Sequence, residues 1–396
     1  MLAVINVRLI DGSGAPARDN CAVLIENGLI SAVGPSLPVP AGCDIINAAG
    51  LTAIPGLIDA HTHFSGSSLL SRPPLGAREE TYDYAEAREG FLRCGVTAAR
   101  TCGDICPDIL EFSALSFGAQ TVSPRVSACG RMFQPYGGHP CYTVFGSSER
   151  IEKHACVITD SADISDSVKR LRDSGARFIK AFYAHLNKMA YPAPSVRMPK
   201  KTLALIGEAA AREGLPLAVH VDDFGEFSDA VDCGARSVEH LLGAGAVPEE
   251  IPEPLVKKAA AAGVFAVPTL VSIKGCSLPG AVPVWPQLSR AVKRLHEAGV
   301  PIAAGCDSGI PFVPFGSSLQ SELELLVSCG LSPMEALLSA TSVNARLLGL
   351  DDAGVIAPGK RADIVLLGAD PLESISAVRR VERVLLAGKT VFERVS

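Results

Sequence analysis

A chain of 396 residues with 36 Lys and Arg against 42 Asp and Glu, a net charge of −6 with histidine neutral, has room for one large domain with an attachment or for two ordinary domains. Its modest negative charge, with no Lys- or Arg-rich run, excludes a nucleic-acid stripe and points to a small molecule as partner. The 12 cysteines are scattered singly from Cys21 to Cys329; with no CxxC pair they exclude a disulfide framework or zinc ribbon and read as reduced thiols of a cytoplasmic protein.

The opening stretch, MLAVINVRLIDGSG, has no basic start, long apolar run or small-residue cleavage site, so it is not read as a signal peptide. The first fifty residues alternate apolar and polar around glycine-containing turns (AVINVRLIDG, CAVLIENGLISAVG), the signature of short antiparallel strands. The same pattern returns in ADIVLLG and VERVLLAGKTVFERV near the end. These two ends predict one composite β-sandwich domain over 1–52 and 353–396, with a different unit over 53–352.

Between them, short apolar runs alternate with helical segments. In chain order the runs are GLIDAHTH, GVTAARTCG, SPRVSACG, RFIKAF, LPLAVHV, RSVEHL, VFAVPTL and VPIAAGCDS. Helices are predicted over KTLALIGEAAAREG, PLVKKAAAAG, LSRAVKRLHEAG and PMEALLSATSVNARLLG. Eight strands and their crossovers in roughly 300 residues predict an α/β fold, a (β/α)8 TIM barrel, whose chemistry sits on loops at the C-terminal strand ends. The longest apolar stretch, AAAAGVFAVPTLVSI, is broken by Pro268 and is too short to span a bilayer.

Residues able to bind a metal cluster at the ends of these runs. His61 and His63 end the first, and in an extended segment side chains two apart share a face. Lys180, His220, His240 and Asp307 close runs four, five, six and eight. A barrel gathers these positions around one mouth. Lys180 lies in the apolar FIKAF, where a charged amine is costly. It either snorkels to the mouth or, as a neutral amine, captures carbon dioxide as a carbamate able to bridge two divalent ions. Asp307 is read as a metal ligand that also accepts a proton from water, against the plainer reading of a turn-forming or capping aspartate.

At this point the chain resembles the amidohydrolase superfamily, close to its imidazolonepropionase-like and prolidase-like branch. The resemblance is carried by PGLIDAHTH, FIKAF, AVHV, SVEHL, AVPTL, AAGCDS, PMEALLSATSVNARLLG and GVIAPGKRADIVLLGADPL, taken in order. It implies a binuclear site, usually of zinc (Zn2+). His61, His63 and Asp307 would hold the more buried ion, and His220 and His240 the more exposed one. Carboxylated Lys180 and a hydroxide would lie between them. Asp307 would pass the proton from the attacking water to the leaving amine. The implied activity is hydrolysis of an amide in a dipeptide, N-acyl amino acid or cyclic amide, and relatives are often homo-oligomers.

The substrate side is expected on the loops. In RMFQPYGGHPCYTVFG the glycines let backbone and His139 approach a ligand, and GGH at this place is similar to the prolidase-like branch, where that histidine contacts substrate. Tyr183 and His185 are read as rim residues, His154 and His296 as surface ones. HVDDFG departs from the relatives: Asp222 and Asp223 add negative charge that would favour an amine-bearing group, unless one of them caps the following helix. Cys306 stands where relatives usually have threonine, and the Pro-rich KGCSLPGAVPVWPQL with Trp285 is a candidate lid or apolar wall. The rival chemistries are a mononuclear heterocycle deaminase using His61, His63, His220 and Asp307, hydrolysis of an ester or lactone by the same site, and a catalytically silent relative.

Overall fold

The computed structural model describes residues 1–35, 37–65, 84–139, 152–159, 161–184, 196–243, 249–275, 284–310 and 312–395. The N-terminal strands are β1 (Leu2–Leu9), β2 (Arg18–Glu26), β3 (Leu29–Pro35), β4 (Asp44–Asn47) and β5 (Thr52–Pro55). β2 and β3 are joined by Asn27 and Gly28, at φ 51° and 82°, a two-residue turn whose positive φ values suit the right-handed strand twist.

The middle of the chain supplies β6 (Leu57–Thr62), β7 (Val96–Thr101), β8 (Arg125–Ala128), β9 (Met132–Pro135), β10 (Ala155–Ile158), β11 (Ile179–Phe182), β12 (Leu217–His220), β13 (Ser237–Glu239) and β14 (Phe265–Val267). The chain ends with β15 (Ile364–Leu367), β16 (Val381–Leu386) and β17 (Lys389–Glu393). These last strands join the first five in one eight-stranded sheet, ordered β17-β16-β15-β5-β1-β2-β3 with β4 beside β1, so strands from the two chain ends do pair, and β5 carries the sheet past residue 52 to Pro55. Its interior is apolar, with Val4, Val23, Ile30, Ile364 and Leu385 among the buried residues.

The middle strands are all parallel, in two sheets ordered β6-β7-β8 and β10-β9-β11-β12-β13-β14. Every residue of β6, β7 and β11 is buried, the pattern of strands covered on both faces. Helices Lys200–Arg212, Phe224–Asp232 and Glu253–Ala262 make the crossovers from β11 through β14. Backbone hydrogen bonds bridge the sheets, directly or through the run 300–308: among them Arg177 N to Ala128 O at 2.9 Å, Ala303 N to Ala266 O at 2.9 Å, and Ala60 N to Ala304 O at 3.0 Å. Among the described residues no helix is long and apolar enough to cross a membrane.

Three local expectations are corrected. The eighth run, VPIAAGCDS, forms isolated bridges rather than a strand. Pro301 has no N–H to donate, and the Ala304 amide is turned to Ser339 O at 3.1 Å instead of a neighbouring strand. The helix predicted over 333–349 is two helices, Pro333–Ser339 and Ser342–Leu348. Its break docks on the strands, because Ala340 O accepts from Ile58 N at 2.7 Å and Ser339 O from Ala304 N, so those carbonyls are not extended into a continuous helix. MFQP, at the head of the expected loop after run three, is strand β9.

Asn344 fastens this junction. Its fully buried amide donates to Ile58 O at 2.6 Å and Ala304 O at 2.7 Å, tying β6 to the eighth run. Asn344→Leu is expected to lower unfolding free energy by about 2–3 kcal/mol, since both bonds go and buried carbonyls lose a donor. Urea unfolding with an unchanged slope and a lower midpoint would report it; an unmoved midpoint would refute the assignment.

Candidate metal centre

His61, His63, His220, His240 and Asp307 come together, whereas Lys180, expected to close its run, is the second residue of β11, which Phe182 ends. His61 Nε2 lies 3.5 Å and His63 Nε2 3.1 Å from Asp307 Oδ1, so the two histidines of HTH do share a face. The His61 ring is 4.8 Å from that of His240, and His240 is 4.3 Å from His220, centroid to centroid. Donor atoms of His61, His63 and Asp307 all lie within 4.8 Å of one another.

The backbone that delivers these side chains is strained. His240, Thr269 and Asp307 have φ of 72°, 46° and 63°, the left-handed region that costs a non-glycine residue about 1–3 kcal/mol and clusters at functional sites. Asp307 N donates to His61 O at 2.8 Å, and His240 N to Val267 O at 2.9 Å, which hold two of these turns against the strands. The loop after β6 is fixed by Asp104, whose carboxylate accepts from Phe64 N at 2.9 Å and Ser65 N at 2.7 Å.

Ring orientation follows from the Nδ1 partners. His63 Nδ1 lies 2.8 Å from Gly103 O and His240 Nδ1 2.7 Å from Thr269 Oγ1; His61 Nδ1 faces Glu239. A partner on one ring nitrogen leaves the other free to bind an ion. Burial, reinforced by Lys180, lowers His61 to about 4 and holds His220 well below the usual imidazole range. His240 is held low by burial and by His220. Burial also opposes charge on His63, but the Asp307 carboxylate outweighs it and raises that imidazole. Burial pushes Asp307 up, and the bond from His63 together with the neighbouring His61 and His240 more than reverses it. The centre therefore combines three imidazoles held low, His61, His220 and His240, with His63 raised beside the Asp307 carboxylate; imidazole and carboxylate are a donor set suited to zinc and its neighbours.

Lys180 tests that fit. It is 0% exposed, and its Nζ has no hydrogen-bond partner among the described residues; its nearest cation-binding surface is the Phe182 ring, 5.1 Å away. An amine buried without a partner is costly, and Lys180 lies on β11, which runs parallel to β12 with Phe182 paired to His220. A further ligand that takes up this nitrogen removes the mismatch, so the residues present fit a metal centre completed on Lys180.

The substrate-side expectations fare unevenly. The His139 ring is 5.8 Å from His220 and 5.8 Å from Phe182, beside the cluster, and burial lowers its pKa. Asp222 Oδ1 is 3.3 Å from His220 Nε2, while Asp223 is the helix cap, accepting from Glu226 N at 2.7 Å. Tyr183 is not on an open rim: it is 1% exposed and its hydroxyl donates to Asp229 at 2.9 Å. His154, expected on the surface, is buried. His185 and residues 276–283 of the expected lid lie outside the described residues.

Sequence reasoning overlooked the groups behind the ligands. Arg100 and Glu239 are charged residues on strands whose every residue is buried, and a charged residue within a predicted core strand was a legible signal. Asp59, in the same GLIDAHTH run, accepts from His61 N at 3.1 Å and from Cys306 Sγ at 2.8 Å. Burial and that neighbouring carboxylate keep the Cys306 thiol protonated, so Cys306 serves as a donor to Asp59 rather than a nucleophile.

Comparisons with known proteins extend this picture. A model of the Amidohydrolase family matches residues 52–391. The imidazolonepropionase of Rubrobacter xylanophilus is 28% identical, covering 88% of this chain and 84% of its own. The ochratoxinase of Aspergillus niger is 26% identical over 95% and 83%. A solved Xaa-Pro dipeptidase with methionine bound in its active site superposes with a TM-score of 0.81, over 99% of this chain and 100% of the other, at 22% identity.

Proposed function

The chain belongs to the Amidohydrolase family, and from that premise we propose that it hydrolyses the amide bond of a small molecule, such as a dipeptide, an N-acyl amino acid or a cyclic amide, in a site for two divalent ions, most simply zinc. As a member of this family it is a hydrolase acting on carbon–nitrogen bonds. We read its parallel strands and the run 300–308 as a closed (β/α)8 barrel, with the sheet of the two chain ends as a second domain. The bridging hydrogen bonds and the likeness to the dipeptidase fold support that reading.

The observation that carries the proposal is Lys180: a fully buried amine without a hydrogen-bond partner among the described residues, inside strand β11, which pairs in parallel with the strand that carries His220. Reaction of its neutral Nζ with carbon dioxide forms an N–C bond, releases one proton and leaves a carbamate with two oxygens. His61, His63 and Asp307 would hold one ion, His220 and His240 the other, and the Lys180 carbamate both. When bound, such ions act as Lewis acids toward a carbonyl and ionise water near neutral pH. Asp307 accepts the proton of the attacking water and donates it to the leaving nitrogen. His139 orients the substrate from beside His220, and the Asp222 carboxylate favours substrates with an amine over those with a free carboxylate.

Elemental mass spectrometry of protein purified with bicarbonate and without chelators tests this. Close to two divalent ions per chain is the expected result; one ion would favour the mononuclear deaminase, and none after added zinc or manganese would end the metal reading. His139→Ala is expected to retain both ions while losing about 10-fold or more in kcat/KM, the effect of removing substrate positioning. An emptied metal centre in that variant would move His139 from the substrate to the ligands.

A further inference from the structure

Behind His61 lies a buried ion pair that the hydrolytic proposal does not use. Glu239 is 0% exposed and comes from β13; Arg100, 3% exposed, comes from β7. Arg100 Nη2 donates to both Glu239 oxygens, at 2.8 and 2.9 Å, and Ser237 Oγ donates to Oε1 at 2.5 Å. The guanidinium is itself clamped, giving Nε to Ala60 O at 2.6 Å and Nη1 to Ser237 Oγ at 2.9 Å. The remaining contact of the carboxylate is His61 Nδ1, 2.7 Å from Oε2.

Two physical points give this arrangement a direction. A buried ion pair is weak evidence for stability, because desolvation offsets much of its attraction. The pair already satisfies itself through Arg100 and Ser237, so a purely structural role leaves the contact with His61 unexplained. A carboxylate on one nitrogen of an imidazole fixes the tautomer and makes the other nitrogen a better donor to a metal.

We propose that Glu239 is a positioning residue for the metal centre: anchored by Arg100 and Ser237, it holds His61 as the Nδ1–H tautomer and turns the Nε2 lone pair toward Asp307 and the ion. Arg100 neutralises the carboxylate, so His61 gains a strong acceptor without a net negative charge beneath the site. The ligand strand β6 is thereby tied to β7 and β13 in one hydrogen-bonded unit. This inference rests on the metal-centre reading above.

The test uses the full chain, stripped of metal and titrated with zinc in competition with a chromophoric chelator. Glu239→Gln removes the charge; Glu239→Asp keeps the charge for Arg100 but withdraws it from His61. Each is expected to bind zinc about 10–100-fold more weakly, the usual cost of losing such a partner, with the circular dichroism of the metal-free protein unchanged. Affinities within about twofold of wild type in a folded variant would overturn the proposal. Should both variants unfold, nitrogen-15 NMR of the metal-free wild type decides, with His61 assigned through His61→Gln: an Nδ1–H signal supports the proposal and an Nε2–H signal overturns it. A wild type that binds no zinc would instead overturn the metal-centre reading, which the tautomer signal alone cannot do.

Discussion

Lys180→Ala is expected to leave a folded protein that holds less than half of the wild type's divalent ions and has lost roughly 10²–10³-fold in kcat/KM, the scale associated with removing one preorganised charge-stabilising group. The reason lies in the position of the amine, fully buried and without a hydrogen-bond partner among the described residues. A side chain kept there only for packing would be better apolar, because an unsatisfied buried polar group costs about 1–3 kcal/mol. The alanine variant loses packing volume but also loses that penalty. Its metal-free form is therefore expected to melt within a few degrees of metal-free wild type, while the metal-loaded forms diverge. Elemental analysis, kinetics and melting of the same preparations check all three statements. Full ion content with normal turnover would remove the carbamate from the proposal.

Asp307→Asn is expected to act mainly on turnover. Asparagine preserves the shape of the side chain on its left-handed backbone and can keep an oxygen toward His63, but it cannot accept a proton. Loss of a positioned general base costs about 10²–10⁴-fold in rate. The bond from His63, together with the nearby His61 and His240, holds the Asp307 carboxyl well below its usual range and marks it as the charged acceptor of the cluster. Initial rates beside thermal melting separate the roles: a collapse of kcat with a small melting shift supports proton transfer, whereas a large melting shift with proportionate loss of activity makes Asp307 a structural anchor.

The candidate cluster was legible in part because His61, His220 and His240 lie at or just past the ends of parallel strands, which carry them to one side; Asp307 sits on a run held by isolated bridges and Lys180 inside β11. HTH could be read as a same-face pair from strand periodicity alone, and the shared approach of both Nε2 atoms to Asp307 agrees. The terminal sheet was legible for the same reason, as alternation around tight turns such as Asn27–Gly28. Periodicity failed where side-chain and backbone partners outvoted it. The helix over 333–349 reads as one unbroken amphipathic run, yet its carbonyls at 339 and 340 are taken by Ala304 and Ile58. Tyr183 follows Lys180 closely enough to suggest the rim, but its hydroxyl found Asp229 on a neighbouring helix.

The sequence by itself determined the fold class, the family resemblance and the residues offered as ligands, since these depend on residue type, spacing and the period of buried positions. Only the tertiary structure decided which nitrogen of each histidine is committed, which of Asp222 and Asp223 caps a helix, and that Glu239 and Arg100 meet behind His61. Those are contacts between residues as far apart as 139 and 178 positions. No local pattern encodes them, because they arise only when strands distant in the chain are brought side by side and buried charges must find partners.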